Sequence, residues 1–138
     1  VKGEAKLIVE IKSHVPAAEI TREVVRLIEE HGMEEDVYIQ SFNYNILVEV
    51  RKTNNDIKTG QLMYMSAGNL SYLDVDFYSV EKGMLSNEFI NRARSHEREI
   101  WVWTVNKESD IKEVLRYDID GIITGYPERV QEILGQEG

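Results

Sequence analysis

Apolar positions along the chain follow two alternating rhythms. Lys6 to Lys12 (KLIVEIK) is a short β-branched run, broken by Ser13-His14-Val15-Pro16. From Glu19 to His31, Ile20, Val24, Leu27 and Ile28 recur at helical spacing, and Gly32 stops them. Val37–Phe42 predicts a second strand. Ile46, Leu47 and Val50 predict a second helix, which fades into Thr53-Asn54-Asn55-Asp56. Thr59–Met65 and Val75–Val80 predict two more strands, with a loop or a short irregular helix over 66–72 between them. Leu85, Phe89, Ile90 and Ala93 mark a helix, Glu99–Val105 a strand, and Ile111, Val114 and Leu115 a short helical face. Asp120–Thr124 predicts the last strand. The last helix carries Val130, Ile133 and Leu134, with Pro127 where a first turn tolerates proline.

Strand and helix thus alternate through about six strands, with no linker, repeat or low-complexity tract. That order predicts a parallel α/β architecture in one domain over 1–138. A complete barrel of eight βα units takes about 250 residues, and this sequence has 138. The pattern fits both an open doubly wound sheet and part of a barrel.

Composition narrows the classes. With 42% apolar and 30% charged residues the chain is expected to fold. No apolar run approaches the ~18 residues of a membrane span. The absence of cysteine excludes disulfides, thiolate metal sites and cysteine nucleophiles. A net charge of -9 repels a phosphate backbone, so no nucleic-acid partner is expected. A small phosphorylated substrate remains compatible where local cations offset that field.

Glu10 and Lys12 are the first candidates for chemistry. The strand period of two puts both on one face, at the carboxyl end of the first strand, where parallel α/β proteins place their sites. A carboxylate suits Mg²⁺ or Ca²⁺, and an ammonium suits a phosphate oxygen. A salt bridge between the two accounts for the same spacing. Trp103, near the end of its strand, suits a pocket wall, whereas Trp101 is expected in the core. Asn106 is placed to cap the following helix. The glycines of Asp120–Pro127 suit either an anion facing backbone N–H groups or a plain tight turn. Gln40-Ser41-Phe42 is a polar, aromatic strand end. Of the histidines, His31 sits at a helix end, His96 lies in a charged segment, and His14 is near the proposed mouth. No HExxH, Walker loop or GxGxxG occurs.

In order, the strings Val9-Glu10-Ile11-Lys12, Ile39-Gln40-Ser41-Phe42, Val102-Trp103-Thr104-Val105-Asn106 and Asp120-Gly121-Ile122-Ile123-Thr124 resemble the C-terminal half of the glycerophosphodiester phosphodiesterases. The resemblance covers essentially the whole chain and is strongest to members whose domain follows a membrane-embedded region. It implies a partial TIM-type (β/α)₈ barrel, approximately strands 4 to 8, with the first three strands missing. It also implies hydrolysis of a small glycerophosphodiester to an alcohol and glycerol 3-phosphate with a divalent metal, Ca²⁺ or Mg²⁺. By the same resemblance Glu10 is a metal ligand, Lys12 a phosphate contact and Trp103 a pocket residue, and Gln40 and Phe42 belong to the substrate site. The family's early His-Arg pair, Glu-x-Asp pair and second histidine are not in this sequence, so no catalytic residue is expected here. Weak metal binding, an inactive isolated chain, and a homodimer or pairing with the missing barrel segment are the corresponding expectations. Arg94 and Glu97 stand where many members have a histidine and a glycine.

Overall fold

The computed structural model describes residues 6–12, 17–64, 70 and 72–137. Strands β1 (Leu7–Glu10), β2 (Val37–Ser41), β3 (Lys58–Met63), β4 (Phe77–Glu81), β5 (Glu99–Trp103) and β6 (Gly121–Ile122) alternate with helices α1 (Ala17–Glu30), α2 (Tyr44–Thr53), α3 (Asn87–Ser95), α4 (Glu108–Val114) and α5 (Pro127–Glu137). Among the described residues, no helix lies between β3 and β4. The expected order holds, while the last strand shortens from five residues to two. The described residues form six strands, in line with the expected count of about six. The expected break at 13–16, with His14, lies outside the described residues, as does most of the expected irregular stretch.

The chain divides into two compact units, 1–62 with 68–77, and 63–67 with 78–138. In the first, β1 pairs parallel with β2 and β2 with β3, in registers that set Glu10 beside Gln40 and Gln40 beside Gly60. α1 buries Thr21, Val25 and Ile28, and α2 buries Ile46, Leu47 and Val50. These residues recur at helical spacing, and the two helices pack together. Asn43 caps α2, its Oδ1 accepting from the Asn45 amide at 3.0 Å. Gly60 is required by close approach: the buried Phe77 ring occupies the space where a β-carbon would stand.

In the second unit, β4, β5 and β6 also follow sequence order, and β5 pairs parallel with β6. Ile100 and Val102 are fully buried and alternate with half-buried Trp101 and Trp103, as a strand's period of two requires. Trp101 therefore shares the face of Trp103 instead of joining the core with Ile100 and Val102. Its ring covers Gly121, its register partner on β6.

The ends of α1 and α3 use the same cap. The amides of Gly32 and Met33 donate to the carbonyls of Glu29 and Ile28, and those of Glu97 and Arg98 to Arg94 and Ala93. This pairing needs a left-handed residue just past the helix, usually glycine. Gly32 fills it in α1 at φ 60°, and Glu97 holds φ 60° after α3.

Candidate functional site

In the first unit the strand register brings two of the expected residues together. Parallel partners point to the same face, so Glu10 and Gln40 stand side by side, about 4.8 Å apart across the ladder. Lys12 lies two residues past the end of β1. Both charged side chains are exposed, and neither makes an ion pair or side-chain hydrogen bond among the described residues. The salt bridge that would have explained their spacing does not form. Phe42 lies just past β2 and is 47% exposed.

Ser41 holds this strand end in place. It is fully buried, its Oγ donates to the Ile11 carbonyl at 2.7 Å, and the same oxygen accepts from the Asn43 amide at 3.1 Å. The hydroxyl thus joins the end of β1 to the N-cap of α2. A second brace comes from Gln61, whose Nε2 reaches the carbonyls of Phe42 at 2.9 Å and Ser41 at 3.3 Å. Gln61 escaped the sequence reading. Its one signal was a glutamine just before the apolar Leu62-Met63 end of β3.

Gln40 is only 6% exposed, and its Oε1 is buried with no hydrogen-bond partner among the described residues. Leaving such an atom unsatisfied costs about 1–3 kcal/mol. An amide oxygen only accepts, and an ionised phosphate offers no proton. The atom suits a hydroxyl donor or a cation.

As a metal centre this face is incomplete. Among the described residues no group of three His, Cys, Asp or Glu side chains could hold a metal ion. Glu10 and the Gln40 amide oxygen are two oxygen donors, against the six or more that a hard cation takes.

The second unit carries the tryptophan strand. Trp103 is half-buried, and its Nε1 donates to the Ser79 carbonyl at 2.8 Å, which locks the ring's orientation. Asn106 does not cap α4. The N-cap position falls to Lys107, without a side-chain hydrogen bond. Asn106 Oδ1 instead accepts from Thr124 Oγ1 at 3.1 Å and from the Gly125 amide at 2.8 Å. Its backbone carbonyl takes Arg129 Nη1 at 2.8 Å. At the opposite end of β5, Asp120 Oδ2 accepts from the Ile100 amide and from Arg94 Nη1, each at 2.7 Å. Asn106 and Asp120 therefore clasp β5 and β6 at both ends, which is the physical link between the WTVN and DGIIT strings. The Gly125 amide, expected to be free for an anion or part of a plain turn, is taken up by Asn106.

A model of the glycerophosphoryl diester phosphodiesterase family matches residues 4–129. The glycerophosphodiester phosphodiesterase of Caldanaerobacter subterraneus is 27% identical over 135 residues, covering 94% of this chain and 56% of its own. That of Bacillus subtilis is also 27% identical, with 94% of this chain and 43% of its own covered. A candidate glycerophosphoryl diester phosphodiesterase from Silicibacter pomeroyi superposes with a TM-score of 0.88 at 25% identity, covering 96% of this chain and 51% of its own. An Oleispira antarctica phosphodiesterase, solved with its product sn-glycerol-3-phosphate, shares the fold at a TM-score of 0.84 and 19% identity, over 94% of this chain and 55% of its own. The chain spans about half the length of the curated relatives it matches.

Proposed function

Since the chain belongs to the glycerophosphoryl diester phosphodiesterase family, we propose that it is the carboxyl-terminal part of a (β/α)₈ barrel that hydrolyses glycerophosphodiesters to an alcohol and glycerol 3-phosphate. The observation that carries this reading is the carboxyl end of β1 and β2, where Glu10 and Lys12 are exposed and, among the described residues, neither they nor the nearby Gln40 Oε1 has a side-chain partner.

In this reading Lys12 meets the phosphate as a point charge. Gln40 accepts from a substrate hydroxyl or contributes an oxygen to a cation. Trp103 is an apolar wall whose ring does not turn, and Phe42 contributes further apolar surface. Glu10 is one ligand of a divalent metal, Ca²⁺ or Mg²⁺, which this chain holds weakly because most of the shell comes from elsewhere. Diester cleavage also needs a proton donor for the leaving oxygen and a base for the nucleophile. Neither is assigned to a residue of this chain, which is inactive alone. The tethering of the whole protein to a membrane rests on the subgroup resemblance and is part of the same proposal. Among the described residues, no helix is long and apolar enough to cross a membrane.

The test is release of glycerol 3-phosphate from a glycerophosphodiester with Ca²⁺ or Mg²⁺. The 138-residue chain is expected to match the blank. The natural polypeptide that contains it is expected to turn over, with E10Q and K12M each lowering kcat/KM by about 100-fold or more. Turnover by the chain alone would overturn the partial-barrel reading. Silence from the natural polypeptide would favour a non-catalytic module that keeps the fold.

A further inference from the structure

Lys12 lies two residues past the end of β1, and among the described residues it makes no backbone hydrogen bond of its own. Its direction is set by Ile11. The Ile11 amide donates to the Gln40 carbonyl at 3.0 Å, which carries the ladder one step past β1. The Ile11 side chain is buried, at 3% exposure. The Ile11 carbonyl accepts from Ser41 Oγ at 2.7 Å. Of these three restraints only the last acts on the peptide plane that contains the Lys12 nitrogen, because a carbonyl is coplanar with the amide that follows it.

The hydroxyl that supplies this restraint is itself fixed. Its oxygen accepts from the Asn43 amide at 3.1 Å, and the Ser41 carbonyl takes Gln61 Nε2 at 3.3 Å. A serine hydroxyl has one proton to give, and here it goes to Ile11. Ser41 is fully buried. It follows Gln40 in β2, so the two side chains point to opposite faces of the sheet. A ligand held by Gln40 is therefore out of reach of Ser41 Oγ. Alanine would fill almost the same space, so packing alone does not ask for the hydroxyl at this position.

We propose that Ser41 is a positioning residue: its hydroxyl aims Lys12 at the phosphate by fixing the Ile11–Lys12 peptide, without touching substrate. The proposal rests on the phosphate role given to Lys12 above.

The experiment combines kinetics and backbone relaxation on the natural polypeptide. Ser41→Ala is expected to lower kcat/KM by about 10- to 100-fold, the scale of a misplacement near 1 Å. Ser41→Thr keeps the hydroxyl and should restore most of that loss. Ser95→Ala removes an exposed hydroxyl-to-carbonyl bond on α3 and should stay within about 2-fold of the parent. In a K12M background Ser41→Ala should cost less than about 3-fold more, because the residue it aims is gone. The order parameter of the Lys12 amide, read by ¹⁵N relaxation, should fall from about 0.85 to below about 0.6 in Ser41→Ala. Should the alanine variant fail to fold, Ser41→Cys, a weak donor, is expected to show the same pattern at smaller amplitude. An unchanged Lys12 order parameter would overturn the proposal. So would a Ser41→Ala loss that is equally large with and without Lys12, since that is the mark of a purely structural role. A parent without turnover whose Lys12 loses order in Ser41→Ala would keep the positioning role and sink the hydrolysis. A parent with turnover and an insensitive Lys12 would do the reverse.

Discussion

Replacing Gly60 by alanine tests the packing beneath the candidate site. A β-carbon built on Gly60 would lie 2.0, 2.2 and 2.4 Å from Cε2, Cζ and Cδ2 of Phe77. Carbon atoms settle at about 3.5–4.0 Å, so the ring would have to retreat by about 1.5 Å. It has little freedom to do so. Phe77 is fully buried, and its ring stands 5.6 Å from that of Tyr38. Gly60 is not at positive φ, which among the described glycines holds only for Gly32, so the substitution carries no dihedral penalty and the effect is steric. Overpacking of this kind costs about 1–3 kcal/mol, here toward the upper end. Alanine regains about 0.5–1 kcal/mol over glycine in a strand. The net loss is about 2 kcal/mol, or about 6–10 °C in Tm for a chain of this size. Urea unfolding followed by far-UV circular dichroism measures it. A double-mutant cycle sharpens the attribution: Phe77→Ala alone should cost about 3–5 kcal/mol, and adding Gly60→Ala to it should be neutral or slightly stabilising. A Gly60→Ala chain within about 0.5 kcal/mol of the parent, or an additive cycle, would refute the reasoning.

Glu97→Gly should stabilise the chain by about 0.5–1 kcal/mol, since it removes a left-handed non-glycine residue from a cap that Gly32 already makes with glycine; a lower Tm for this variant would contradict the cap assignment. Burial raises the pKa of the Tyr78 phenol above its usual value, and nearby Arg98 and Arg92 oppose the shift without cancelling it. Its folded pKa is above its unfolded one, so the associated stability is fully present below about pH 10 and falls as pH rises through the folded value. Alkaline denaturation profiles of the parent and Tyr78→Phe should therefore diverge only above about pH 10, and parallel profiles there would count against the buried phenol as the cause.

How much was legible in the sequence depended on the range of the interaction. The alternation of strands and helices was readable because periods of 2 and 3.6 are set by near neighbours. Glu10 was placed at the carboxyl end of the first strand for the same reason, and the WTVN and DGIIT strings pointed to the family that the comparison then showed. Partner choice was not readable, because it joins residues far apart in the chain. Asn106 looked like a helix cap from its neighbours and became a clasp for Thr124 and Gly125, which lie 18 and 19 residues on. Trp101 looked like core until its strand's alternation was seen against buried Ile100 and Val102. Gln61 was one polar letter in a strand until the register set it against the carbonyls of Ser41 and Phe42. The apolar positions of α1 were present in the sequence as Ile20, Val24, Leu27 and Ile28. Only the tertiary structure decided that Ile28 is buried with Thr21 and Val25 while Ile20 and Leu27 are exposed, because which face of a helix is buried depends on what the rest of the chain packs against it.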